Sequence, residues 1–209
     1  MSKDSYIHQV APGKPGAALF FAFHGTGGSE GQLVPLAREL APDATIVAPR
    51  GDVDEHGAAR FFRRMSEGRY DMADLARATG KMAGFVEAHV AAARPSRVIG
   101  IGYSNGANIL ASLIFARRDL FDDAVLMHPL IGWEPAPGPV RTRVLITAGE
   151  RDPICPPALT RQLADWFAAQ GAVVETHWHP GGHGLETSEI AAAAAFLENA
   201  RLASGERAR

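Results

Sequence analysis

Runs of nearly unbroken apolar residues alternate along this chain with stretches of helical periodicity, and that alternation leaves few folds open. The runs are "AALFFAFHG" (17–25), "ATIVAPRG" (44–51), "RVIGIGYS" (97–104), "DAVLMHP" (123–129), "RVLITAGE" (143–150) and "AVVETHWHP" (172–180). A strand that is apolar on both sides must be covered on both faces, which is the situation of a parallel sheet lying between helical layers. The intervening stretches supply those layers. Helices are predicted over 31–42, 71–93, 105–118, near 157–170 and over about 187–202; in the second, Met72, Leu75, Met82, Phe85, Val86 and Val90 recur at roughly helical spacing. "YIHQV" (6–10) reads as a further edge strand that could pair antiparallel. The expected architecture is an α/β fold, a mostly parallel sheet with helices on both faces and no large lid domain. In such sheets ligands bind beyond the carboxyl ends of the strands. His24, Ser104, His128, Asp152 and His183 all fall there, so they are expected to converge on one edge.

The length of 209 residues fits one domain with a substantial core, and "ASGERAR" (203–209) reads as a flexible tail. A net charge of −2 argues against nucleic acid as a main partner, because phosphate binding needs a concentrated positive surface. The basic run "RFFRR" (60–64) is broken by two aromatics. The single cysteine, Cys155, excludes an internal disulfide, and it is expected to be a small buried residue rather than a second nucleophile. No apolar run approaches a membrane span. The expected location is cytoplasmic, as a monomer or a homodimer.

"GYSNG" (102–106) places a serine between a predicted strand and a predicted helix, with a glycine two residues to either side. A serine held on so sharp a turn stands clear of the backbone, and the flanking residues must be nearly free of side chain for strand and helix to approach. The helix start behind Ser104 offers N–H groups to a developing oxyanion. Further along the chain come an acid in "AGERDPICPP" (148–157) and His183 in "PGGHGL" (180–185). Serine is a poor nucleophile while protonated; an imidazole that takes its proton and returns it to the leaving group, held in its tautomer by a carboxylate, removes that difficulty. Asp152 is preferred to Glu150 as the carboxylate, since it lies in the loop proper and Pro153 fixes the backbone after it.

The histidines of "HWHPGGHGLE" (177–186) raise a metal alternative. In a strand, His177 and His179 share a face, and with His183 they could in geometry hold zinc. No acid or cysteine accompanies them in a ligand pattern, so no metal is expected; both are read as polar or half-buried strand residues, with His179 facing the last helix or the pocket rim. "FHGTGGSE" (23–30) follows another strand and is glycine-rich, which lets backbone N–H groups turn inward; Thr26 and Asn105 are the predicted oxyanion donors. A phosphate-loop reading fails for want of a lysine in the required place. His24 is expected to tie this loop down.

"HGTGGS", "APRG", "RFFRR", "GYSNGAN", "GERDPICP" and "HWHPGGHGL", in this order, resemble the small carboxylesterase/phospholipase group of α/β-hydrolases. Within it they look most like the branch related to acyl-protein thioesterases and to bacterial hydrolases linked to hydroquinone resistance. The chain order serine, acid, histidine is that of the same superfamily. The resemblance spans about residues 17–200. It implies Ser104, Asp152 and His183 as a triad, Thr26 and Asn105 as oxyanion donors, and no cofactor.

The irregular stretch 49–70 leaves the same sheet edge and can wall a pocket. Phe61 and Phe62 are expected to supply apolar surface, with an arginine among Arg60, Arg63 and Arg64 facing the substrate, Arg63 foremost. Leu130, Trp133, Ile154 and Leu185 are further lining candidates. The resulting expectation is a carboxylesterase acting on small or short-chain esters. A thioesterase or lysophospholipase of the same group, a non-catalytic ligand-binding relative and a histidine-bound metal hydrolase are the alternatives.

Overall fold

The computed structural model describes residues 2–203. In chain order the elements are β1 (His8–Ala11), β2 (Leu19–Phe23), α1 (Val34–Leu40), β3 (Thr45–Pro49), β4 (Val53–Glu55), β5 (Ala58–Arg60), β6 (Arg64–Ser66), β7 (Arg69–Tyr70), α2 (Met72–Ala93), β8 (Val98–Tyr103), α3 (Asn105–Ala116), β9 (Asp123–Met127), β10 (Arg143–Gly149), α4 (Pro157–Ala169), β11 (Val174–His179) and α5 (Thr187–Ala203). The tail expected from about residue 203 lies, beyond Ala203 itself, outside the described residues.

Seven strands form one sheet in the order β1-β3-β2-β8-β9-β10-β11. All neighbours run parallel except β1, which pairs antiparallel with β3 through His8–Pro49 to Ala11–Ile46. Successive residues of each strand point to opposite faces, and the two faces carry separate cores. Phe21, Phe23, Leu126 and Ile146 pack with α2, α3 and α4, through residues such as Met82, Phe85, Leu113 and Phe167. Phe20, Ala22, Ile101 and Val125 pack with α1 and α5, through Ala37, Phe196 and Leu197. This is the mostly parallel α/β sheet that the alternation of apolar runs predicts. No helix among the described residues is long and apolar enough to cross a membrane.

Residues 50–71 differ from the expectation of an irregular loop. They form two small ribbons, β4–β5 and β6–β7, each antiparallel. The ribbons turn at His56–Gly57 and at Gly68, all three with positive φ. Asp71 then ends the segment by capping α2, its carboxylate accepting from the Asp74 N–H.

Candidate active site

The turn after β8 has the strain that its sequence demands. Ser104 has φ 53° and ψ −113°, a region rarely populated outside glycine. A Cβ on Gly102 would lie 2.3 Å from the Gly106 carbonyl oxygen, and one on Gly106 only 2.0 Å from the Phe23 carbonyl oxygen. Neither neighbour is a flexible side chain, so both positions require glycine. The Ser104 N–H donates to the Met127 carbonyl at 2.8 Å, which pins the turn across β9.

Ser104 Oγ lies 3.0 Å from His183 Nε2, and His183 Nδ1 lies 2.7 Å from Asp152 Oδ2. Glu150 is exposed, and its backbone N–H donates to the His179 carbonyl, so the carboxylate beside His183 belongs to Asp152. Gly149 allows the loop bearing His183 to close: a Cβ there would meet the Gly182 carbonyl oxygen at 2.1 Å. Tyr103 steadies the same loop, its hydroxyl donating to the His183 carbonyl at 2.8 Å.

Asp152 is buried and fully engaged. Oδ1 accepts from the N–H groups of Ile154 (2.8 Å) and Cys155 (2.9 Å), while Oδ2 faces His183 and also His128 Nδ1 at 2.9 Å. Burial disfavours the charge, but these donors outweigh it and hold the carboxyl below its ordinary range. Behind it, His128 Nε2 lies 3.0 Å from Glu189 Oε1, and His179 Nε2 lies 3.4 Å from Glu189 Oε2. Glu189 also accepts from Thr147 Oγ1 (2.6 Å) and from the Glu186 N–H (2.7 Å). His177 pairs instead with Ser188, Nε2 to Oγ 3.1 Å.

The candidate metal sets among the described residues, His128–Asp152–His183 and His128–His179–Glu189, share His128. In the second, His128 Nε2 and His179 Nε2 face Glu189 as close charge contacts without a hydrogen bond. The Gly181 N–H points at His179 Nδ1 (3.1 Å), so the ring proton sits on Nε2, toward Glu189. A metal on Nε2 would need Nδ1 to carry the proton and face that N–H donor head on.

The predicted oxyanion donors, Thr26 and Asn105, lie on two segments. The Asn105 N–H belongs to the first turn of α3, where no intrahelical acceptor exists. Asn105 Oδ1 accepts from the Phe61 N–H (2.9 Å), the Gly27 N–H donates to the Ala59 carbonyl (2.9 Å), and Arg60 Nη1 donates to Thr26 Oγ1 (2.6 Å). His24 bridges the Gly25 carbonyl (2.7 Å) and the Gly51 N–H (2.9 Å), which ties the glycine-rich turn to the start of the ribbons.

A cavity of about 250 Å³ opens over Ser104, lined by Thr26, Arg60, Tyr70, Leu130, Ile154 and His183 among others. Several sequence candidates lie elsewhere. Phe61 and Phe62 are fully buried: Phe61 packs on Phe23 and His24 and Phe62 on Tyr70, so they anchor the ribbons and do not face substrate. Arg63 points outward to Asp71 and Asp74, while Arg60 and Arg64 reach the cavity and Arg64 pairs with Glu55 at 2.8 Å. Trp133 lines a different groove, and Leu185 is exposed outside the cavity. Cys155 borders the cavity, and burial pushes its thiol well up, away from the thiolate form. Sequence reasoning missed Glu189, Tyr70 and Tyr103. His128 was visible as a strand-end residue, though nothing in its neighbourhood revealed its partners.

A larger groove of about 680 Å³ runs between α2 and α3, with Leu75, Gly80, Phe115 and Trp133 in its walls. It contains no nucleophile, base or acid of the Ser104 constellation. Ser104 and His183 line the smaller cavity instead.

Comparison with known proteins agrees with this fold. The sequence profile of the dienelactone hydrolase family matches residues 51–203. MhqD of Bacillus subtilis (strain 168), named as a hydrolase, is 39% identical over 187 residues, covering 87% of this chain and 93% of the relative. The structure of Atu2452 from Agrobacterium tumefaciens str. C58, a protein of unknown function, superposes with a TM-score of 0.91 at 56% identity, over 95% of this chain and 98% of that one. A Bacillus cereus carboxylesterase superposes with a TM-score of 0.89 at 35% identity, over 93% and 94%.

Proposed function

Because this chain belongs to the dienelactone hydrolase family of α/β-hydrolases, we propose that it is a serine carboxylesterase acting on small or short-chain carboxylic esters. The observation that carries this is the unbroken contact from Ser104 Oγ through His183 to Asp152, at 3.0 and 2.7 Å, opening on the 250 Å³ cavity. The likeness to the carboxylesterase of Bacillus cereus supports the same reading.

In this mechanism Ser104 Oγ bonds to the ester carbonyl carbon as its proton passes to His183 Nε2. The carbonyl oxygen, now an alkoxide, accepts from the Thr26 and Asn105 N–H groups, each donor worth roughly 2.7–4 kcal/mol of barrier. Asp152 stays ionised and stabilises the imidazolium. Collapse of the intermediate breaks the bond to the alcohol oxygen, which leaves with the proton from His183. Water repeats the sequence on the acyl-enzyme and releases the acid. No step uses a cofactor. The size of the cavity favours short acyl groups over the chains of a lysophospholipid, and a full set of reacting groups speaks against a purely binding role.

The test is hydrolysis of p-nitrophenyl esters from acetate to decanoate, with chelator present, by wild type and Ser104→Ala. The expected result is turnover of the short esters and a loss on the order of 10³-fold or more in kcat on substitution. Equal activity of the two proteins would remove Ser104 as nucleophile.

A further inference from the structure

The triad does not stop at Asp152. His128, fully buried just past β9, has a carboxylate oxygen at each ring nitrogen: Asp152 Oδ2 at 2.9 Å from Nδ1 and Glu189 Oε1 at 3.0 Å from Nε2. The contact with Glu189 is close but off the N–H axis, so its weight is electrostatic. The backbone is bent to make this placement, with His128 at φ 52°. Such a conformation is strained for a non-glycine residue, and the surrounding contacts must over-determine it. Resting on the serine-hydrolase reading above, we infer that His128 is a standing imidazolium clamped between Asp152 and Glu189, a positioning residue that keeps the acid of the triad ionised.

The hydrogen-bond inventory points to the proton's place. A neutral ring would either aim its Nδ1 lone pair at Asp152 Oδ2 or donate there and leave Glu189 Oε1, 3.0 Å from Nε2, with no positive charge to answer it. Placing the proton on a carboxylate fares no better. Both oxygens of Asp152 accept from N–H groups, and both oxygens of Glu189 accept from Thr147 and the Glu186 N–H. The groups facing His128 come from every neighbouring element: Asp152 after β10, Glu189 on α5, His179 on β11, His183 in the loop beyond it, Tyr103 on β8, and Cys155, whose thiol donates to the His128 carbonyl. Burial opposes the imidazolium, but the two carboxylates outweigh it and raise His128 above its ordinary value. Without that cation two carboxylates would share one dry pocket, and one of them would take up a proton. Were that Asp152, His183 would lose its anionic partner during attack.

Two measurements test this. In ¹⁵N-histidine-labelled protein, with the signal assigned by its loss in His128→Gln, His128 is expected to carry both N–H protons throughout roughly pH 6–9. A neutral ring near pH 7 overturns the inference, even if His128→Gln fails to fold and assignment must come from neighbouring resonances. The second is the pH profile of ester hydrolysis for His128→Gln, Glu189→Gln and the double variant. His128→Gln is expected to move the acidic limb of kcat upward by about one pH unit or more. Adding Glu189→Gln should bring the limb back, since the competing carboxylate is gone. A double variant no better than His128→Gln, with the limb unmoved, would reduce His128 to a spacer. The two readings fail separately: a Ser104→Ala enzyme that stays active removes the nucleophile but leaves the protonation of His128 intact.

Discussion

The sheet has a buried aspartate at each end, Asp123 at the start of β9 and Asp152 just past β10, and the two behave in opposite ways. Asp123 receives Arg97, Nε and Nη2 both 2.5 Å from Oδ2, with Arg143 more distant at 3.7 Å. Asp123 Oδ1 nonetheless has no hydrogen bond, and burial raises the carboxyl above its ordinary value in spite of the arginine. Beyond the carboxyl end of β10, Asp152 has no arginine, yet four N–H donors hold it below the ordinary range. What separates the two buried carboxylates is how fully their lone pairs are met: both oxygens of Asp152 accept, whereas Asp123 Oδ1 is left bare. The amino end of the sheet holds a structural ion pair. Its carboxyl end holds the carboxylate proposed to serve His183.

Substitution should separate the two ends sharply. Asp152→Asn is expected to cost on the order of 10³–10⁴-fold in kcat, because the amide can hold His183 in the wrong tautomer. Asp123→Ala should leave kcat within about threefold but lower the unfolding free energy by about 3–5 kcal/mol in urea titrations, since Arg97 is left buried and unpaired. A large kcat loss in Asp123→Ala would break the contrast.

Acid titration of stability sharpens it further. The lowered Asp152 and Glu189 contribute stability above the ordinary carboxylate values, and that contribution is lost as pH falls through their folded values. The raised Asp123 has the opposite sign: its contribution is complete below 3.8 and is lost as pH rises through its folded value. Asp152→Asn should therefore flatten the fall in unfolding free energy below about pH 4, and Asp123→Asn should instead remove a gain on acidification above it. Identical profiles for the two variants would contradict the assignment.

The smallest effect belongs to the α2–α3 groove. A Cβ on Gly80 would meet nothing within 4 Å, and the residue lies inside a helix. Gly80→Ala should raise stability by about 0.5–1 kcal/mol and leave kcat unchanged. A changed kcat would show that the groove communicates with Ser104.

Much of this was legible in the sequence, for physical reasons. Unbroken apolar runs can form only strands buried on both faces, and the glycine spacing around Ser104 admits only a tight strand-to-helix turn. Their chain order then brings Ser104, Asp152 and His183 to one edge. Residues 50–71 were illegible because strands of two or three residues are too short to show alternation, and Phe61 and Phe62 look the same whether they anchor a segment or wall a cavity. Glu189 was hidden for another reason. In the first turn of an alanine-rich helix it reads as an ordinary solvated charge at a helix start, and only the packing of α5 against β10 and β11 puts it beside His128.

The ribbon segment has a consequence for how such a protein can diversify. Arg60, Arg64 and Tyr70, which shape the room for substrate, come from residues that contribute none of the groups proposed to react. That division would ordinarily let selectivity drift while the rate was inherited intact. Here the same segment also props the two proposed oxyanion donors, through Arg60 on Thr26 and the Phe61 N–H on Asn105. Exchanging it between relatives should therefore alter the appetite for substrates and the speed of turnover together, so that new specificities in this lineage arise more readily by single replacements on the cavity wall than by transplanting the whole segment.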